Sequence, residues 1–154
     1  MKNSNKFLPT GVSAALISIH PEYADKILAG VKRLEYRRRW AATPVDVLVI
    51  YATAPVQRVV GLAKIESVFH GSKSRLWELG KDYGGCISRR KLSAYLAGKK
   101  EAVAIALGSC HAFDVALDPH VLFDSAFKPP QSFRYLKPEE ITRINKLTKG
   151  KSWE

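Results

Sequence analysis

The sequence predicts an α+β fold: a small mixed sheet or barrel with short helices on its flanks. Three observations carry this. Short apolar runs rich in β-branched residues recur along the chain, and capped segments of helical periodicity fall between them without a regular strand–helix–strand alternation. The Gly-x-Gly-x-x-Gly turn of a parallel dinucleotide-binding sheet is missing, so that alternative is the weaker one. A chain of 154 residues fits one domain with one substantial core. It divides into a leader over 1–13, a core domain over 14–136 and a C-terminal helix and tail over 137–154.

The leader is polar, broken by Pro9 and Gly11, and expected to be mobile. Residues 12–19 are apolar and follow Lys2 and Lys6, as in a secretory signal. The interruption at Pro9 and Gly11, and the lack of a small-x-small cleavage pattern before His20, favour a strand over 14–19. Pro21 then opens a short helix with Tyr23/Ile27 and Ala24/Leu28 as i,i+4 pairs, and Gly30 stops it. Residues 32–37 read as a strand with Leu34 and Tyr36 on one side and Arg33, Glu35 and Arg37 on the other.

The run 45–52 lies between Pro44 and Pro55 and reads as a central strand. A second strand follows over 59–69, where Gly61 allows a bulge or a close backbone approach. Two short helices come next: 74–79 closed by Gly80, and 89–97 capped by Ser88 and closed by Gly98. Residues 102–107 and 110–117 form two strands, or one strand bent around Gly108. A proline-punctuated loop covers 118–132. The last helix spans 138–150, with Glu139 and Glu140 early and Lys146 and Lys149 late, as the helix dipole prefers.

Charge gives the first functional direction. Twenty-five Lys and Arg against 14 Asp and Glu leave a formal +11, with a pI of about 9.8. Such a balance favours nucleic acid, anionic lipid or a phosphorylated small molecule. No apolar run reaches the roughly 18 residues of a membrane helix. Cys86 and Cys110 are too few for a disulfide framework, and the four histidines show no metal-ligand spacing. A reducing, cytoplasmic setting is therefore expected, with no metal, cofactor or membrane partner.

The positive charge clusters. Lys32, Arg33, Arg37, Arg38 and Arg39 fall within nine residues, interleaved with Tyr36 and Trp40, the composition of a phosphate-and-stacking surface. Glu35 sits among these cations, either as a structural ion-pair partner or as a carboxylate that orients an arginine or accepts from a base amino group. Arg89, Arg90 and Lys91 occupy the first turn of a helix, against the dipole; they are either an exposed turn or a phosphate contact. The stretch 128–135 stiffens a loop with Pro129 and Pro130 and then offers Gln131 and Ser132 beside Phe133.

In order along the chain stand Ser18-Ile19-His20-Pro21-Glu22-Tyr23-Ala24, Ile27-Leu28-Ala29-Gly30 and Gly30-x-Lys32-x-x-Glu35-x-Arg37. Tyr51-Ala52-Thr53-Ala54-Pro55, Val60-Gly61 and Pro129-Pro130-Gln131-Ser132-Phe133 follow. This pattern, spread over 14–136, resembles the ASCH domain family, and most of all bacterial members described as predicted regulators with a PUA-like domain. The resemblance implies a PUA-like small β-barrel whose cleft carries Lys32, Glu35 and Arg37 and binds RNA or a modified nucleotide, with DNA as an alternative. Arg38, Tyr51, Thr53, Gln131 and Ser132 join the expected ligand-binding set. Arg33, Arg39, Arg89, Arg90 and Lys91 form the expected phosphate contacts.

Two enzymatic alternatives come with the resemblance, and both would use the same cleft. One branch of the family deacylates N4-acetylcytidine with a lysine, a threonine and a glutamate. Lys32 matches the lysine, Glu35 stands in the threonine position, and Glu66 and Glu78 are candidates for the glutamate. In that reading Lys32 and Glu35 are the catalytic pair, with the Lys32 pKa lowered by Arg33 and Arg37. Another branch is associated with ribonuclease activity. A ligand-free protein adaptor would leave the basic clustering unexplained.

Overall fold

The computed structural model describes residues 8–9 and 11–148. The expected helix end at 149–150, the tail and most of the leader lie outside the described residues. Six strands make one sheet: β1 (Ala14–Ile19), β2 (Leu34–Arg37), β3 (Val47–Ala52), β4 (Arg58–Gly71), β5 (Ala102–Leu117) and β6 (Phe133–Tyr135). Their order is β2-β5-β4-β3-β1-β6. Only β1 and β3 run parallel; the other pairs are antiparallel. Helices α1 (Pro21–Leu28), α2 (Lys73–Tyr83), α3 (Arg89–Tyr95), α4 (Pro119–Leu122) and α5 (Pro138–Leu147) flank it. The mixed α+β class and its short helices are as the sequence predicts.

Alternation along the strands sorts the core. Ile17, Leu48, Ile50 and Ile105 share one face with Ala24 and Ile27 of α1. On the other face Leu16, Val49 and Leu62 pack with Leu122 and Ile144 beneath α4 and α5. Leu34, Tyr36, Ala104 and Ala106 pack there with Leu76, Leu92 and Leu96 from α2 and α3. At β2 this alternation sends Leu34 and Tyr36 into the helix-covered core and turns Glu35 and Arg37 to the α1 face.

The sheet curls so far that its two edges meet. β2 and β6 are the outermost strands, yet Arg37 Nη2 of β2 donates to the Ser18 carbonyl of β1 at 2.8 Å. Its Nη1 donates to Ser132 Oγ, just before β6, at 3.4 Å. Trp40 and Phe133 then pack across the same seam with ring centroids 4.5 Å apart. Side chains rather than a backbone ladder close the barrel.

Several boundaries differ from the sequence reading for identifiable reasons. α2 runs past Gly80 to Tyr83 and closes at Gly84, whose φ is 75°. Gly80 lies inside the helix and serves close packing instead of a stop: a Cβ there, or at Gly85, would run into the Tyr36 hydroxyl. Residues 102–117 are one strand, with register shifts in its pairing to β4. Gly61 makes the close approach expected of it: a Cβ would lie 2.5 Å from the His111 carbonyl oxygen. The loop over 118–132 contains the helical turn α4, capped by Asp118, whose carboxylate accepts from the His120 N–H at 2.9 Å. Leu8, within the leader, is fully buried and exchanges two hydrogen bonds with the Asn145 side chain, at 2.9 and 2.8 Å. Among the described residues no helix is long and apolar enough to cross a membrane.

Candidate functional site: a cleft at the barrel seam

A cleft of about 440 Å³ opens where the sheet edges meet, lined in part by Ser18, His20, Tyr23, Thr53, Lys91, Tyr95 and Gln131. Its floor is Lys32, Glu35 and Arg37, which are 3%, 7% and 7% exposed. Three charges buried this deeply cost several kcal/mol each unless partnered, and the fold partners all of them. Glu35 Oε2 accepts from Arg37 Nη2 at 2.9 Å and Nε at 3.1 Å. Glu35 Oε1 lies 3.7 Å from Lys32 Nζ. Lys32 Nζ also donates to the carbonyls of Leu34 at 2.7 Å and Gly85 at 2.6 Å. The rings of Tyr23 and Tyr36 flank the ammonium, their centroids 5.3 and 5.2 Å away.

This network ties the cleft walls together. Lys32 holds the α2–α3 connection through Gly85, and α3 then presents Lys91 and Tyr95, one helical turn apart, to the cleft. Arg37 holds β1 and the 130–132 segment, where Ser18 Oγ donates to the Pro130 carbonyl at 2.7 Å. Glu35 neutralises one of the two cations, so the floor keeps a formal charge of +1. Burial is the main cause that lowers the Lys32 pKa, and Arg37 adds to it; Glu35 and Cys86 work the other way. Arg33, expected to share that task, is exposed. It precedes β2, which starts at Leu34 rather than at residue 32, and its charge is felt instead by the half-buried Cys110 thiol.

The structure gathers part of the expected set and disperses the rest. Lys32, Glu35, Arg37, Thr53, Lys91 and Gln131 line the cleft, with Ser132 bonded behind Arg37. Tyr51 does not: it is 3% exposed in the core and its ring packs on Phe127, 5.5 Å between centroids. Arg38 stands outside, where its guanidinium donates to the Tyr95 and Ala97 carbonyls at the end of α3. Arg39, Arg89 and Arg90 are exposed and outside the lining. Ser88 caps α3 as expected, its Oγ accepting from the Lys91 N–H at 3.1 Å. Trp40 is occupied by Phe133, and Lys32 lies over the ring of the buried Tyr36, so neither aromatic offers the free stacking face that its sequence position suggested. Glu66 is outside the lining, as is Glu78, which pairs with Lys81 at 3.3 Å on the surface.

Six lining residues stood outside the expected site set: Ser18, Ile19, His20, Tyr23, Ile87 and Tyr95. Ser18, Ile19, His20 and Tyr23 were legible as parts of the motif around the first helix start, and Tyr95 only as a position inside the helix expected over 89–97. Among the described residues no group of His, Cys, Asp and Glu is arranged to hold a metal ion.

A small curled mixed sheet, closed at its seam by side chains and flanked by short helices, defines a PUA-like barrel. The ASCH domain profile matches residues 17–109, and the chain belongs to the ASCH domain family. An ASCH domain-containing ribonuclease of Zymomonas mobilis is 33% identical over 137 residues, 87% of this chain and 91% of that protein. The crystal structure of ASCH from Zymomonas mobilis superposes with a TM-score of 0.81 at 29% identity, covering 91% of this chain and 98% of that one. The N-terminal domain of Staphylothermus marinus McrB shares the fold alone, with a TM-score of 0.56 and 10% identity over 95% of this chain and 98% of that one.

Proposed function

We propose that the chain binds RNA and takes one unpaired nucleotide into the seam cleft. The observation that carries this reading is the composition of the cleft: a buried floor of net positive charge below walls bearing Lys91, Tyr95, Thr53 and Gln131. Lys91 meets a phosphate, and Tyr95, 40% exposed, offers a ring face to a base. Gln131 and Thr53 supply donors and acceptors to the base edge. The volume falls within the range of small-ligand pockets, about 300–1,000 Å³. Fluorescence anisotropy with a labelled single-stranded RNA at several salt concentrations tests this. Affinity should fall with salt at a log–log slope of about −0.7 per phosphate contacted. An affinity indifferent to salt would overturn it.

RNA cleavage is the second reading, favoured by the Zymomonas relative named a ribonuclease and matched over most of this chain. Deacylation of N4-acetylcytidine has less support. The Lys32 ammonium is spent on two carbonyls and Glu35, and the carboxylate in the threonine position is spent on Arg37. Neither is placed to attack an amide carbon. Purified protein should release no acetate from N4-acetylcytidine.

A further inference from the structure

His20 is the cleft side chain left with both the chemistry and the freedom to move a proton. Glu35 is held by Arg37 and Lys32, and Lys32 donates to two carbonyls. The Tyr36 hydroxyl donates to the Leu76 carbonyl at 3.3 Å, and burial raises its pKa to about 12. The His20 imidazole lines the cleft and is exposed. Its one described ring contact is the Tyr23 ring, at 6.4 Å between centroids, and no described residue hydrogen-bonds its nitrogens.

Its backbone is fixed by contrast. The His20 carbonyl accepts from the N–H groups of Tyr23 and Ala24 to begin α1, and Pro21 follows it. One residue earlier, the Ile19 carbonyl accepts from the Thr53 N–H at 3.0 Å. An imidazole whose nitrogens no described residue hydrogen-bonds therefore stands on a backbone-bonded strand-to-helix junction, in the same cleft as Thr53, Gln131 and Lys91. Imidazole is the side chain whose ordinary pKa suits acid–base work near neutral pH.

We propose that His20 is the catalytic base for RNA cleavage by the ribose 2′-hydroxyl, an inference that rests on the RNA reading above. The 2′-oxygen forms a bond to phosphorus while the bond from phosphorus to the 5′-oxygen breaks. The 2′-hydroxyl proton passes to the free nitrogen of His20, and the departing 5′-oxygen takes a proton from water. Nothing is oxidised or reduced, and the products are a 2′,3′-cyclic phosphate and a 5′-hydroxyl. Lys91 stabilises the charge that builds on the phosphoryl oxygens.

The test uses the full chain, as wild type and as His20→Gln, on a single-stranded RNA and on its all-2′-deoxy counterpart, with binding measured alongside. Wild type should cut the RNA to cyclic-phosphate ends and spare the deoxy strand. His20→Gln should lose about 10²–10⁴-fold in rate, keep its affinity for the deoxy strand, and lose the acid limb of the pH–rate profile. Cleavage by His20→Gln at the wild-type rate, cutting of the deoxy strand, or products with a 3′-hydroxyl would overturn the role of His20. So would wild-type protein that binds RNA and never cuts it, which leaves the binding proposal standing. Wild-type protein that neither binds nor cuts RNA overturns both.

Discussion

Lys32 Nζ donates to the Gly85 carbonyl at 2.6 Å, joining residues 53 positions apart in sequence. The lysine of the Gly-x-Lys-x-x-Glu-x-Arg signature is thereby a tie between the start of β2 and the connection that positions α3. Its ammonium faces two carbonyl oxygens and a carboxylate, so every proton has an acceptor nearby. The cleft wall carrying Lys91 and Tyr95 depends on this tie.

Removing that tie should cost stability before it costs chemistry. Lys32→Met keeps the stem but strands two carbonyls and half of the Glu35 charge, for an expected loss of about 3–5 kcal/mol. Glu35→Gln leaves two buried cations unneutralised and should cost a similar amount. The double variant should lose less than the sum, because the two groups share one network. Urea unfolding of the three variants measures this coupling; strict additivity would show that the pair acts independently.

Phosphate contact should distinguish residues that sit together in sequence. Lys91→Gln should make the log–log salt slope of RNA binding shallower by about 0.7, the value of one contact on a single strand. Arg89→Gln and Arg90→Gln, outside the cleft lining, should leave the slope unchanged. Anisotropy titrations between low and physiological salt resolve the difference.

Alkaline pH should weaken the fold through Tyr36. Burial raises its pKa from 10.0 to about 12, so the folded chain keeps a proton that the unfolded chain releases. That contribution to stability is complete below pH 10 and is lost between pH 10 and about 12. Tyr36→Phe should flatten the decline over that window in melting curves. An unchanged slope would place the alkaline loss elsewhere.

Much of the fold was written locally. Pro21, Ser88 and Pro138 start helices by fixing φ or by satisfying free N–H groups, signals that need no tertiary context. The apolar runs fix β1, β3 and β4 for the same reason. What was hidden depended on distant partners. β6 has three residues and exists because β1 pairs with it, Leu16 opposite Arg134. Gly80 looked like a stop signal, but the Tyr36 hydroxyl is what requires it. Tyr51 sits within a motif, yet the strand pleat turns its side chain into the core. Nothing in a basic run announces that Lys32 and Arg37 are buried while Arg33, Arg38 and Arg39 are exposed.

Acid should act at the start of α5. Burial works against the Glu140 carboxylate, but hydrogen bonds from Arg134, at 3.0 Å each, and from the Lys137 N–H, at 2.9 Å, outweigh it and hold its pKa below 4.5. Stability from this group is present above pH 4.5 and is lost as pH falls through the depressed value. Glu140→Gln should cost about 1–2 kcal/mol at neutral pH. The gap to wild type should close on acidification, as thermal melts at several pH values would show; a gap that persists at pH 2 would refute the carboxylate's part in it.

The paired hydrogen bonds between Leu8 and Asn145 bring the two ends of the described chain side by side. In topological terms the described part of the chain, from Leu8 to Thr148, is nearly a ring. A short glycine-rich bridge between its two ends would close the ring, and the break can then be moved elsewhere. The turn at Gly98, between α3 and β5, is exposed and has a φ of 82° with open space around the glycine. A permuted chain beginning there would keep every described strand whole, begin with β5, and make the edge strand β6 before the edge strand β2. Its capacity to form the same barrel would show that the seam closes without regard to which edge strand is made first.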